Sequence, residues 1–129
     1  MTGKFYHGTS KENAQVILEK GFKTSYGRFG HGVYLTSHKL FATGFTRGTG
    51  QVIQCDCVGN IMTIEYHSIN EIFPNANISI EEEEGYTGLE SEVKAMGYDG
   101  ALIKYDDNDD ELVIYNTKCL KNIVINCWH

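Results

Sequence analysis

Three short segments of this chain carry side chains that can do more than fill a core. Residues 7–9 read His-Gly-Thr after an apolar pair, so a group that titrates near neutral pH lies beside a glycine that lets a ligand approach the backbone. Residues 29–37 read FGHGVYLTS, and Tyr34 follows a glycine-punctuated turn there. Residues 109–116 read DDELVIYN, where Glu111 opens an apolar strand after an acidic loop. Titratable and aromatic side chains at such positions are candidates for a functional site.

Each segment also has an ordinary structural interpretation. A lone histidine is most often a surface residue or a hydrogen-bonded structural residue, and Tyr34 is also explained as a core tyrosine in a tight turn. A carboxylate at the end of a strand is usually a solvated strand end. Taken one at a time, the segments do not decide between a structural and a functional role.

The elements that would position these segments follow from alternation and capping signals. Strands are predicted at residues 4–7, 33–35, 51–56, 59–66, 101–105, 111–115 and 122–126, with 51–56 and 59–66 paired around a turn at Gly59. Helices are predicted from a Ser10 cap to Gly21, from a Ser37 cap to about Phe45, and over 89–96, with a helical turn at 68–73. Residues 24–32, 81–84 and 106–110 are predicted as loops. Many short strands with about three helices, without strict alternation, indicate an α+β fold.

Length and charge limit the function classes. The 129 residues are expected to form one domain, 1–129. A net charge of −6 argues against broad nucleic-acid affinity, because proteins that hold phosphates usually present a basic face. No segment has the length and apolar character of a signal sequence or a membrane span. A cytoplasmic protein is expected, or an effector delivered to a host cytoplasm, with no membrane partner.

The four cysteines are expected to be reduced and mostly buried. Without a signal sequence, this is favoured over two disulfides. A zinc site built from Cys55, Cys57, Cys119 and Cys127 with nearby histidines is the weaker alternative, because structural zinc ligands rarely occupy alternate strand residues. The acidic loop at 106–110 lacks the glycine and glutamate pattern of a calcium loop. No metal is therefore expected.

Taken together, FYHGT at 5–9, FGHGVYL at 29–35 and ELVIY at 111–115 resemble, in this order, the His-Tyr-Glu signature of ADP-ribosyltransferases of the poly(ADP-ribose) polymerase type. The segment GYDGALIK at 97–104 is similar to the strand beside the glutamate strand in small bacterial and phage members. The resemblance implies an ADP-ribosyltransferase-like fold of two small, packed, antiparallel-rich sheets flanked by about three short helices. It also implies NAD as co-substrate.

The resemblance assigns a role to each signature residue. His7 would bond the adenosine ribose, and Gly8 would hold the nicotinamide carboxamide through its backbone, with Thr9 completing the cofactor-binding segment. Tyr34 would stack on the nicotinamide ring. Glu111 would stabilise the oxocarbenium-like ribose as nicotinamide leaves.

Two further positions follow from spacing within the family pattern. Phe45, eleven residues after the tyrosine, would cover the other face of the nicotinamide ring. The serine that many members carry eight residues after the tyrosine is replaced by Ala42. The carboxamide contact of that serine is then lost or supplied by Thr43, and weaker nicotinamide affinity is expected.

The resemblance implies an NAD-dependent mono-ADP-ribosyltransferase that transfers ADP-ribose to a macromolecular acceptor, and a monomer is expected. The acceptor is open, and a protein is favoured over a nucleic acid or a small molecule. An NAD glycohydrolase and a non-catalytic module that binds NAD or ADP-ribose remain alternatives. RNA 2′-phosphotransferases also begin near an HGT segment, but this chain is too short and too acidic for them. Rifamycin-modifying relatives end their triad with aspartate, and Glu111 argues against them.

Overall fold

The computed structural model describes residues 2–44, 50–76, 78–80, 83–106 and 108–126. Its strands are Thr2–Thr9 (β1), Ser25–Gly27 (β2), Gly30–Leu35 (β3), Gln51–Val58 (β4), Ile61–Glu65 (β5), Ile78–Ile80 (β6), Glu83–Gly85 (β7), Gly100–Lys104 (β8), Asp110–Ile114 (β9) and Leu120–Asn126 (β10). Its α-helices are Lys11–Lys20 (α1), Lys39–Gly44 (α2), Ile69–Ile72 (α3) and Leu89–Ala95 (α4), with 3-10 turns at Tyr66–Ser68 and Thr117–Cys119. The predicted α+β class is confirmed.

Two main sheets carry the candidate residues. One has the strand order β1-β4-β10, the other has the order β2-β3-β9-β8-β5, and β6 and β7 form a separate hairpin. Every pairing is antiparallel except the parallel pair of β5 and β8. Leu35 of β3, Phe5 of β1 and Leu112 of β9 belong to one buried cluster, which joins the two sheets. The predicted pairing of the glutamate strand, β9, with the strand at 100–104 is confirmed.

Helix α1 forms as its sequence predicts and supports the strand that bears His7. The Ser10 side chain accepts a hydrogen bond from the Asn13 amide at 3.1 Å, and Gly21 ends the helix with φ near +83°. Ala14 and Ile17 are buried against Ile53 of β4. Ile53 is the cross-strand partner of His7, so the helix fixes the strand pair beneath the histidine.

Residues 51–56 and 59–66 do not form the hairpin that the sequence predicts. β4 pairs with β1 and β10, whereas β5 joins the other sheet and pairs with β8. The chain changes sheets at Gly59, where an added Cβ would lie 2.9 Å from a carboxylate oxygen of Asp99. The same oxygen accepts a hydrogen bond from the Asn60 amide at 2.9 Å. Strand partners here are set by contacts distant in sequence, which alternation does not report.

Asp110 of the predicted loop 106–110 is the first residue of β9, and two further segments predicted as loops also contain strand residues. Within 24–32, β2 pairs with β3 in a tight hairpin, and Gly30 adopts φ near +99°, a conformation that glycine allows. Within the acidic run 81–84, residues 83 and 84 belong to β7, whose partner is β6. Backbone hydrogen bonding to a neighbouring strand therefore makes parts of both segments strands, despite their glycine-rich or charged composition.

Cys55, Cys57 and Cys119 are buried, as predicted, and form no disulfide among the described residues, whereas Cys127 lies outside them. Within the described ranges, no helix has the length and apolar character needed to cross a membrane.

Candidate functional site

A cavity of about 150 Å³ brings the three predicted segments together. His7 and Gly8 line it from β1, Tyr34 from β3, Glu111 from β9 and Ala42 from α2. These residues are far apart in sequence, so the fold and not local chain geometry assembles them. The cavity therefore combines an imidazole, an aromatic ring and a carboxylate in one concave surface.

The ring of His7 links the first two segments directly. Its Nδ1 lies 2.7 Å from the backbone carbonyl oxygen of Tyr34. Because a carbonyl oxygen only accepts, Nδ1 carries the proton, and Nε2 of the neutral ring presents a lone pair. Burial lowers the pKa of His7 from its ordinary value, and the bond to the carbonyl partly offsets this effect. The neutral ring is thus favoured, and its Nε2 can accept a hydrogen bond from a ligand hydroxyl.

Tyr34 is held by both hydrogen-bonding functions of its hydroxyl. The oxygen accepts from the Phe29 amide at 3.1 Å, and the hydroxyl donates to the Gly30 carbonyl at 2.6 Å. An added Cβ at Gly27 would lie 2.7 Å from the ring, so glycine is needed where the β2–β3 hairpin meets Tyr34. Burial raises the pKa of Tyr34 to about 12, which keeps the phenol protonated. The ring is therefore a fixed, flat wall of the cavity.

Glu111 lies in a row of side chains across one face of the five-stranded sheet. Tyr34 is the cross-strand partner of Val113, and Ile103 is the partner of Glu111. Because side chains alternate along a strand, Glu111 and Val113 share a face with Tyr34, and Tyr105 continues that face two residues after Ile103. The Glu111 carboxylate therefore lies between the ring of Tyr34, on the cavity side, and the ring of Tyr105.

Arg28 extends over the far end of this row. Its guanidinium donates to the Tyr66 hydroxyl and lies 5.0 Å from the centre of that ring. The rings of Tyr66 and Tyr105 are 5.0 Å apart. Burial raises the pKa of Glu111, and the positive charge of Arg28 opposes this increase. A cation held by aromatic residues thus favours the ionised form of a half-buried carboxylate.

Arg28→Gln should raise the pKa of Glu111 further, because the substitution removes the cation that opposes the effect of burial. A ¹³C NMR titration of the Glu111 side-chain carboxyl would measure the change. Lys104→Gln is the matched control, since it removes one positive charge from an exposed side chain of the neighbouring strand β8. An unchanged Glu111 pKa in Arg28→Gln, or an equal rise in the control, would contradict the influence assigned to Arg28.

Two of the predicted or weighed positions, Thr9 and Thr43, are not among the described residues that line the cavity. The Thr9 hydroxyl accepts a hydrogen bond from the Asn13 side chain at 2.7 Å, so it supports the start of α1 and does not line the cavity. The Thr43 hydroxyl donates to the Lys39 carbonyl at 2.9 Å, within its own helix. Phe45 lies outside the described residues. Ala42 lines the cavity, so the wall at this position is a methyl group.

The structural roles of Asp110 and Ser37 differ from those predicted from the sequence. Asp110 belongs to the segment 106–110 that is predicted as a loop, yet it lies in β9, is only 9% exposed, and its Oδ1 accepts a hydrogen bond from the Ser37 amide at 2.9 Å. The Ser37 hydroxyl, predicted to cap α2, instead donates to the other Asp110 oxygen. Asp110 is buried because β9 begins directly beside the end of β3. The sequence signal is the position of Asp110 two residues before the apolar run at 112–114.

A groove of about 300 Å³ adjoins the cavity and shares His7 and Tyr34 with it. Asn13 of α1, Phe22 and Lys23 are among its other lining residues. Phe22 also contacts the His7 ring edge-on, with ring centres 5.7 Å apart. The combined volume of the two depressions falls within the range of pockets that hold small-molecule ligands, roughly 300–1,000 Å³.

Within the described part of the chain, no group of three or more histidine, cysteine, aspartate or glutamate side chains is arranged to hold a metal ion. The zinc alternative weighed from the sequence thus has no support in the described residues, and Cys127 lies outside them.

Comparisons with known proteins place this chain in no family. No protein-family model matches it, and no curated protein matches it. Among solved structures, the chain is similar to one described as "Crystal structure of an anti-CRISPR protein", with a TM-score of 0.46 and 13% sequence identity, over 98% of this chain and 95% of that chain. A similarity of this size establishes neither a shared fold nor a shared activity.

Proposed function

We propose that this chain is an NAD-dependent mono-ADP-ribosyltransferase with an ADP-ribosyltransferase-like fold. One observation carries the proposal. His7, Tyr34 and Glu111, the three signature residues, line one cavity, and His7 is hydrogen-bonded to the backbone of Tyr34. A cavity with these three groups fits a ligand that combines a flat ring with ribose hydroxyls.

The reaction uses each group at a defined atom. The bond between C1′ of the nicotinamide ribose and the pyridinium nitrogen breaks, and its electron pair leaves with nicotinamide, which becomes neutral. The carboxylate of Glu111 stabilises the positive charge that develops on the ribose. A nucleophile on the acceptor then bonds to C1′ and loses its proton to Glu111 or to solvent. Arg28 assists by favouring the ionised carboxylate before the reaction.

NAD would occupy both depressions. The nicotinamide lies against Tyr34 in the smaller cavity, and its carboxamide meets the Gly8 backbone. The adenosine half extends past the acceptor nitrogen of His7 into the adjoining groove, where Lys23 provides a positive charge for the diphosphate. The alanine at position 42 offers the carboxamide no hydroxyl, which limits nicotinamide affinity.

The acceptor is proposed to be a protein. The net charge of −6 disfavours extended contact with a phosphate backbone. The described cysteines are unpaired, which suits a reducing compartment such as a cytoplasm.

Two measurements on the purified protein test the proposal. Calorimetric titration with NAD in the presence of EDTA should give binding heat, and chromatography should detect nicotinamide released from NAD. His7→Ala should weaken NAD binding, because it removes the ring that lines both depressions. His67→Ala is the matched control, since His67 is exposed and its Nε2 lies 2.8 Å from Asp106.

Each outcome has a distinct meaning. NAD binding and nicotinamide release, together with labelled ADP-ribose on an acceptor, support the transferase. Release without transfer to any acceptor indicates an NAD glycohydrolase, and binding without release indicates a non-catalytic module. Absence of NAD binding, or binding heat that appears only after zinc or calcium is added, would overturn the proposal.

A further inference from the structure

The carboxylate of Asp110 lies where β9 begins beside the end of β3, and no sequence pattern predicts a role for it. Its Oδ1 is 2.9 Å from the Ser37 amide nitrogen and 3.3 Å from the Thr36 hydroxyl, and its Oδ2 accepts from the Ser37 hydroxyl. The Thr36 hydroxyl itself accepts from the His38 amide at 3.1 Å, so its own proton is directed to Asp110. Asp110 thus receives three hydrogen bonds while only 9% exposed.

Thr36 connects this carboxylate to the strand that bears His7. The Tyr6 amide donates to the Thr36 carbonyl at 2.8 Å, and the Thr36 amide donates to the Tyr6 carbonyl at 2.9 Å. Among the described residues, no other backbone pairing joins the two main sheets. The network therefore bridges the sheets at the edge of the cavity, which both Tyr6 and Thr36 line.

Each signature residue is close in sequence to a member of this network. His7 follows Tyr6, Tyr34 precedes Thr36 by two residues, and Glu111 follows Asp110. Because consecutive strand side chains point to opposite faces, fixing Asp110 toward Thr36 also fixes the direction in which Glu111 points.

We propose that Asp110 is a positioning residue that clamps the two sheets together and holds Glu111 in its direction toward the cavity. A carboxylate suits this role, because all three of its partners are donors. An asparagine keeps most of the network, since its amide oxygen accepts from Ser37 and Thr36 while its amide nitrogen donates to the rotated Ser37 hydroxyl. An alanine removes it.

If Asp110 clamps the sheets, its removal should loosen the contact between β1 and the end of β3, and this effect can be measured without any enzymatic activity. In Asp110→Ala, hydrogen exchange at the Tyr6 and Thr36 amides should accelerate by about tenfold or more relative to the rest of β1 and β3. Asp99→Ala is the matched control. Asp99 also accepts two hydrogen bonds, from the Asn60 amide at 2.9 Å and from the Asn116 side chain at 3.0 Å, and it does not line the cavity.

The effect on rate rests on the proposed function. Asp110→Ala should lower kcat for nicotinamide release by about 10²-fold, because a small displacement of a reacting group has a cost of this order. KM for NAD should change much less, Asp110→Asn should recover most of kcat, and Asp99→Ala should retain it. Ser37→Ala, which removes one of the three hydrogen bonds, gives a smaller change of the same kind if Asp110→Ala does not fold.

The two readouts separate this inference from the proposed function. If the wild type releases no nicotinamide, the proposed function fails. Hydrogen exchange at the Tyr6 and Thr36 amides then still shows whether Asp110 clamps the two sheets. Unchanged exchange at both amides in Asp110→Ala, or in Ser37→Ala if the first variant does not fold, would refute the clamp. Equal losses of kcat in the Asp110 and Asp99 variants would show that Asp110 contributes only to general stability.

Discussion

Glu111→Gln is expected to slow nicotinamide release by roughly 10²–10³-fold, because the substitution removes a charge placed where positive charge develops in the transition state. NAD affinity should change only modestly, since ground-state NAD carries little of that charge at the ribose. Chromatography of released nicotinamide and calorimetry on the same samples measure the two effects separately.

The same variant should unfold at a temperature no lower than that of the wild type. Burial raises the pKa of Glu111 in the folded state, so its stability contribution is present below the unfolded pKa and is lost as pH rises through the folded pKa. At neutral pH, glutamine removes the cost of a half-buried charge. Glu65→Gln is the control, because Glu65 is an exposed carboxylate on β5 of the same sheet. Equal turnover in wild type and Glu111→Gln would contradict an electrostatic role.

Tyr34→Ala is expected to lower NAD affinity by about tenfold or more, because stacking contributes about 0.5–1.5 kcal/mol beyond area burial and the contact area is lost as well. The ring also stabilises the β2–β3 hairpin through its hydroxyl, so Tyr34→Ala will reduce stability too. Tyr34→Phe separates the two roles. It should cost about 1–3 kcal/mol of stability by leaving the Phe29 amide without its partner, while NAD affinity stays near the wild-type value.

Calorimetry with NAD and thermal unfolding of both Tyr34 variants test this separation. If both variants bind NAD as tightly as the wild type and differ only in melting temperature, Tyr34 is a structural core residue. The sequence had left that interpretation open.

The signature strands were predictable because their signals are local. Gly30 follows the β2–β3 turn and begins the apolar strand β3, and Ser10 and Gly21 mark the ends of α1. The structure confirms a strand at Tyr34 and a strand at Glu111. Such signals depend on backbone conformation within a few residues, which the sequence reports directly.

The partners of those elements were not predictable in the same way. The predicted hairpin at Gly59 is wrong because the Asn60 amide bonds to Asp99, a residue distant in sequence. The buried state of Asp110 depends on Thr36 and Ser37, which are equally distant. The acidic composition of residues 106–110 is typical of an exposed loop, but the hydrogen bonds from Thr36 and Ser37 hold the Asp110 carboxylate in a buried position.

The cavity itself was predicted only in part. The convergence of His7, Tyr34 and Glu111 was expected from the resemblance to the ADP-ribosyltransferase signature, but the bond between His7 and the Tyr34 carbonyl depends on how β1 crosses β3. The position of Arg28 over Tyr66 depends on three elements that meet on one face of the sheet. Arg28 lies in the β2–β3 turn, Tyr66 follows β5, and Tyr105, whose ring contacts Tyr66, follows β8. No local pattern encodes that meeting.

The most direct test of the proposed activity is mass spectrometry of cell extract incubated with isotopically labelled NAD and the purified protein. Wild type should release nicotinamide and leave labelled ADP-ribose on an extract protein, and Glu111→Gln should leave little or none under the same conditions. Glu65→Gln should match the wild type. If wild type neither releases nicotinamide nor transfers label, or if Glu111→Gln labels the same protein equally well, the account of this site as an ADP-ribosyltransferase is contradicted.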